Sequence, residues 1–196
     1  LLPQNSSGTY INRELSLVSF NERVLSLSQD RSIPILERLK YLCIVANNLD
    51  ELFEIRVAGL KARLQEEPFD SQLPDGLTIE ETLTILGKRT QSLVQLQYEI
   101  LNQSVVPELK KEGIKLLNFH GLNKQQKRWA SAYFKNNVLP ILTPLGLDPL
   151  HPFPKVLNKS LNFIIEMRGK DSYGRKGRVA IVQAPRLLSR IIEIPK

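Results

Sequence analysis

One cysteine, one methionine, one tryptophan and two histidines in 196 residues leave this chain poor in the side chains that most often do chemistry. With Cys43 alone, no intramolecular disulfide can close, and a cysteine-built zinc site is excluded. A reducing compartment, the cytoplasm, is the expectation. Cys43 stands in the apolar run Leu39-Lys40-Tyr41-Leu42-Cys43-Ile44-Val45-Ala46, which predicts a buried, inert thiol. No apolar run approaches the roughly 18 residues that span a bilayer, and Leu1 to Gly8 lacks the basic-then-apolar order of a signal segment. A soluble protein is expected, and membrane association is not indicated.

Motifs for ordinary nucleotide chemistry are missing too. Gly169-Lys170 is followed by Asp171 and has Ile164 at the upstream glycine position, so no phosphate-binding loop of the Gly-x-x-x-x-Gly-Lys-Ser/Thr type exists. There is no Gly-x-Gly-x-x-Gly, no zinc-protease motif and no Gly-x-Ser-x-Gly elbow. The chain lacks an initiating Met and stops at Ile194-Pro195-Lys196, just after apolar residues that want a partner. This reads as a piece of a longer protein.

What is present is positive charge: 27 Lys and Arg against 20 Asp and Glu give a net +7, which draws anions over a Debye length. The apolar residues Leu17, Phe20, Val24 and Leu27 recur at steps of three and four, predicting a helix over 16–29 with that face inward. Ser32 before Ile33-Pro34 predicts a cap, and Leu36, Leu39, Leu42, Cys43 and Ala46 a second helix. Thr78 with Glu81 predicts a capping box, and Leu83, Leu86, Thr90, Leu93, Leu96, Gln97 and Ile100 a long helix bent or ended near Pro107. Ile114-Lys115-Leu116-Leu117 reads as a short strand, Asn123 as the cap of a further helix, and 160–167 with 178–184 as a hairpin. The expected fold is mainly α: an antiparallel helical bundle over 1–106, then an incomplete α/β (α+β) domain with a hairpin over 107–196.

Three places could carry function. Asn48 precedes Glu51 by three residues at a point where one helix should stop and another start, so its amide reads as a variant capping box or as a group that pairs with the edge of a base. His120 and His151 lie in loops with no neighbouring acid to orient them, which favours surface residues over catalysts. Arg168, Lys170, Arg175, Lys176 and Arg178 surround the hairpin turn and suit either a solvated turn or a polyanion contact.

Taken together, three separated motifs resemble polyphosphate kinase of the phosphohistidine type: Tyr10-Ile11-Asn12-Arg13-Glu14-Leu15-Ser16 leading into Phe20-Asn21-Glu22-Arg23-Val24-Leu25, then Asn47-Asn48-Leu49-Asp50-Glu51, then His151-Pro152-Phe153-Pro154. The resemblance implies the N-terminal domain and the first part of the head domain of an ATP:polyphosphate phosphotransferase. That family moves the terminal phosphate of ATP to polyphosphate, reversibly, through a phosphorylated histidine and with Mg2+. Histidine and magnesium ligands belong to domains absent here, so no catalytic or metal residue is carried over, and the piece alone is expected to be inactive. The family's adenine-contacting asparagine falls on Asn48, making it the single expected ATP-binding residue. Expected partners are ATP or ADP, polyphosphate and, through the full-length enzyme, further copies of the chain; nucleic acid is not expected. Leu17 stands where the family usually has Trp, and Leu52 where an aromatic often follows Asp-Glu. The alternative is a basic helical binding module for nucleic acid or an acidic partner, for which only Tyr173 is interleaved with the basic residues.

Overall fold

A computed structural model describes residues 10–66, 72–147, 152–170 and 176–195. The fold is mainly α with one small antiparallel sheet, and it divides into two compact units between Leu116 and Leu117.

The first unit holds three long helical segments. Helix α1 (Arg13–Leu27) starts at Asn12, whose side chain accepts from the Leu15 N–H and donates to Asp75 and Thr82, so the cap also ties down the loop ahead of the third segment. The buried line on α1 is Val18, Asn21 and Leu25, not the face through Phe20 and Leu27, both of which are exposed. The helix is turned because two neighbours pack on it, and Leu17 and Val24 are left at the margin of the core.

The second segment is α2 (Ile35–Glu51), a π-helical turn over Leu52–Val57, and α3 (Ala58–Glu66). Its cap is not Ser32, which bonds Asp30 instead; Pro34 occupies the cap position with no side-chain bond. Buried Arg38, Leu42, Val45, Leu49 and Leu52 step by four, three, four and three, and Val57 then follows by five. At 3.6 residues per turn a step of five rotates a side chain roughly 140° away from the line. The extra residue of the π turn returns Val57 to the core.

The third segment, α4 (Ile79–Ile100), a π turn over Leu101–Val105 and α5 (Val106–Lys111), obeys the same rule: buried Ile100 and Val105 are five apart across the turn. Here Pro107 follows within two residues and supplies a cause, since its ring cannot tolerate the normal helical carbonyl. The segment does not end at Pro107. It stops at Gly113, whose φ of 86° sets a C-terminal cap in which Ile114 N–H reaches Leu109 O at 2.9 Å and Gly113 N–H reaches Lys110 O at 3.2 Å. Helix α2 packs on α5 and α3 packs on α4, so the second and third segments run antiparallel. Arg38, 1% exposed, links the ends: Nε donates to Ser28 O at 2.7 Å, and the guanidinium reaches Glu108 at 2.7 Å and Ser104 at 2.8 Å.

The stretch 114–118, which straddles the boundary of the two units, forms no strand and has no partner strand among the described residues. In the second unit a 3₁₀ turn (Phe119–Gly121) leads to α6 (Lys124–Tyr133), capped by Asn123 with Gln126 and followed by a π turn over Phe134–Val138. The expected hairpin is β2 (Asn162–Lys170) with β3 (Lys176–Gln183), and a strand not foreseen, β1 (Pro144–Gly146), adds to the far edge of β3. The order is β1-β3-β2, antiparallel throughout, with Phe163 opposite Val182 and Leu145 opposite Ile181.

Candidate functional site

Asn48 does not cap a helix. It lies three residues inside the end of α2, its carbonyl accepts the Leu52 N–H, and neither it nor Glu51 makes a side-chain capping bond. The junction is a π turn rather than a break. The π turns at Leu101–Val105 and Phe134–Val138 are each followed within two residues by a proline, Pro107 and Pro140, but none follows Leu52–Val57 at that distance. Such turns gather at functional sites, where they re-aim a helix face.

The face so aimed borders a groove of about 180 Å³. Leu17, Phe20 and Asn21 line it from α1; Asn48, Glu51, Leu52 and Arg56 line it from the second segment. Both sets follow helical spacing, which brings residues three, four and eight apart onto one side. The two positions that depart from the family's aromatic pattern, Leu17 and Leu52, therefore meet Asn48 in one place. The groove is smaller than the roughly 300 Å³ or more that encloses a drug-sized ligand, so it admits one flat ring system and leaves any longer part outside.

Its polar groups are two amides, a carboxylate and a guanidinium. Asn48 Nδ2 donates to Asn21 Oδ1 at 2.9 Å, and Asn21 Nδ2 donates to Leu17 O at 2.9 Å. Asn21 was not singled out from the sequence, because a scan for apolar periodicity passes over an amide. Its signal was positional: three residues after Val18 and four before Leu25, it sits on the buried line.

Other expected positions separate from this groove. His120 is exposed in the 3₁₀ turn of the second unit, edge-on to Phe119 at 6.5 Å. His151 and Arg175 lie outside the described residues, and Arg168 is exposed on β2. Cys43 is exposed on α2, one position past buried Leu42, not buried as its apolar neighbours suggested. A larger hollow of about 530 Å³ occurs in the second unit between Trp129, Tyr133, Phe134, Val138 and Ile192, lined mainly by apolar and aromatic side chains and by no charged one.

Among the described residues no three His, Cys, Asp or Glu gather to hold a metal ion; they do not fit magnesium, and no step is assigned through it. No helix among them is long and apolar enough to cross a membrane. The carboxyls held below their ordinary pKa are Asp30, by the Ser32 hydroxyl and then its N–H, and Glu81, by the Thr78 N–H and then its hydroxyl. Both serve local turns, away from the groove.

Two amides, a carboxylate and a guanidinium thus line one groove of the helical unit. The description "Polyphosphate kinase N-terminal domain" matches residues 10–117, and "Polyphosphate kinase middle domain" matches 125–196. The chain belongs to the polyphosphate kinase family. Curated relatives include polyphosphate kinases of Burkholderia multivorans and Paraburkholderia phytofirmans, each 46% identical over 186 residues, or 95% of this chain. The chain spans 27% of the length of either relative. The crystal structure of polyphosphate kinase from Porphyromonas gingivalis superposes with a TM-score of 0.77 at 26% identity, over 97% of this chain and 27% of that one.

Proposed function

We propose that this chain supplies the adenine-holding part of a polyphosphate kinase. The base of ATP enters the groove between α1 and the π turn while the terminal phosphate passes to polyphosphate through a phosphohistidine in other domains. The observation that supports this most is the Asn48 amide, which is no helix cap, borders the groove, and keeps Oδ1 and its second N–H without a protein partner among the described residues. An amide with one acceptor and one donor side by side is complementary to a 6-aminopurine edge. Leu17, Phe20 and Leu52 supply apolar contact to the ring, and Arg56, also lining the groove, suits the anionic part of a nucleotide. The net +7 favours approach of polyanions. Magnesium and the reacting histidine we assign to residues outside this chain, so the chain alone binds and does not catalyse.

In a full-length polyphosphate kinase carrying this chain, Asn48→Ala is expected to raise KM for ATP about tenfold, the worth of a lost paired base contact, with kcat nearly unchanged. An unchanged KM in a folded variant removes Asn48 from the site. The isolated chain, given ATP and magnesium, is expected to form no polymer; polymer formation by it would place the chemistry here after all.

A further inference from the structure

We propose that Asn21 is a positioning residue that fixes which way the Asn48 amide faces, and that it thereby makes the groove select a 6-aminopurine over a 6-oxopurine. This rests on the reading of Asn48 as the base contact.

Asn21 is 2% exposed and lies on the line of α1 that packs into the core, where a polar side chain is tolerated only if its groups are bonded. Its two bonds form a directional relay. Leu17 O can only accept, so the Asn21 NH₂ must face it. That turns Asn21 Oδ1 toward Asn48, and an oxygen there can only accept, so Asn48 must present its own NH₂ to Asn21. A backbone carbonyl of α1 thus sets the handedness of an amide on the neighbouring segment. An amide is otherwise free to turn end for end, since its two ends have nearly the same shape.

The consequence is chemical selectivity. With Nδ2 held by Asn21, Asn48 offers Oδ1 and one N–H in a fixed order. On the N1 edge of the base, the 6-amino group donates to Oδ1 while N1 accepts from the N–H. A 6-oxo group in the same pose sets oxygen against Oδ1, and its protonated ring nitrogen sets a donor against a donor. An unanchored amide would turn over and accept either base. Asn48 alone supplies affinity; Asn21 supplies the refusal.

Three triphosphates test this without altering the protein. A full-length enzyme carrying this chain is assayed with ATP, purine riboside triphosphate (hydrogen at C6) and inosine triphosphate (oxygen at C6). The purine analogue loses one bond, whereas the inosine analogue meets mismatch at both positions, so KM is expected to rise in that order, with inosine about tenfold or more above ATP. Inosine triphosphate used as well as the purine analogue, or better, overturns the proposal. In Asn21→Leu, similar in size and without polar atoms, the gap between ATP and inosine triphosphate should close to within about threefold through KM, with kcat for ATP kept; a merely structural role would weaken both substrates alike, and a folded variant with the original gap overturns the proposal. If Asn48→Ala leaves KM for ATP unchanged, the base contact itself fails. If Asn48→Ala raises KM but the analogues are not ranked as stated, Asn21 alone is excluded.

Discussion

The helical unit and the unit that follows it are held in different ways. In the first, one continuous cluster runs from Val18 on α1 through Leu42 and Leu49 to Leu86, Ile100 and Leu109, and the polar groups that enter it are bonded. In the second, the buried apolar residues described are Leu122 and the central-strand trio Ala180, Ile181 and Val182, while Phe163, Ile164 and Ile165 on β2 are all exposed. A half-buried strand should hide alternate residues, and β2 hides none of these three. Packing fixes the first unit; the sheet ladder and local caps carry the second. The groove with its two bonded amides lies on the unit whose core is closed, where locked neighbours hold a side chain to a fraction of an ångström.

The sharpest way to break that contrast is to delete the same kind of side chain on each side. Leu86 is 1% exposed and Ile164 is 72% exposed. Leu86→Ala is expected to cost about 3 kcal/mol, from lost transfer energy and the cavity left behind. Ile164→Ala is expected to stay within about 0.5 kcal/mol. Urea unfolding followed by helical circular dichroism reads the first, and fluorescence of Trp129, the one tryptophan in the sequence, reads the second. An equal loss from both would mean that β2 is covered in the folded protein and the contrast is false.

Much of this was legible beforehand, and the failures share a cause. The capping box at Thr78, the cap at Asn123 and the hairpin were readable because their signals are local. The inward face of α1 was misjudged because Phe20 and Leu27 are apolar yet exposed, while Asn21 is polar yet buried. The five-residue steps from Leu52 to Val57 and from Ile100 to Val105 are printed in the sequence, but only knowledge of which residues are buried shows them as π turns. Ile114 to Leu117 has strand composition and no partner, and pairing is tertiary. At the groove Asn48 was legible as an amide at a suspicious spot. That it is not a cap, and that Asn21 holds it, needed the structure.

A second contrast concerns charge. Glu108, with its side chain 42% exposed, neutralises Arg38, whose side chain is 1% exposed. Glu108→Ala leaves the guanidinium buried without its counter-ion, and the expected loss is about 2 kcal/mol, below the usual range for a buried pair because water reaches Glu108 and because Ser28 and Ser104 still hold Arg38. Glu108→Gln keeps an acceptor and should recover part of it. A neutral effect in chemical denaturation would show that Arg38 is held by its neutral partners alone.

The smallest effect separates the units most cleanly, because each begins a helix with a capping box and only one box can titrate. In the helical unit Thr78 N–H donates to Glu81 at 2.8 Å and Glu81 N–H to the Thr78 hydroxyl at 3.1 Å; in the second, Asn123 N–H donates to Gln126 at 3.0 Å and Gln126 N–H to Asn123 at 2.9 Å. The Thr78 N–H bond, and then its hydroxyl, hold the Glu81 carboxyl below its ordinary 4.5. A carboxyl lowered by folding stabilises the folded form fully above 4.5, and that contribution disappears as pH falls through the lowered value. As pH falls below 4.5 and through the lowered value, the first turn of α4 should lose amide-exchange protection relative to the turns behind it, and the first turn of α6 should not. Glu81→Gln should make α4 behave like α6. If both starts weaken together in acid, the cause is global unfolding and not this carboxylate; if neither weakens, the box at Thr78 is held by its hydroxyl rather than by Glu81.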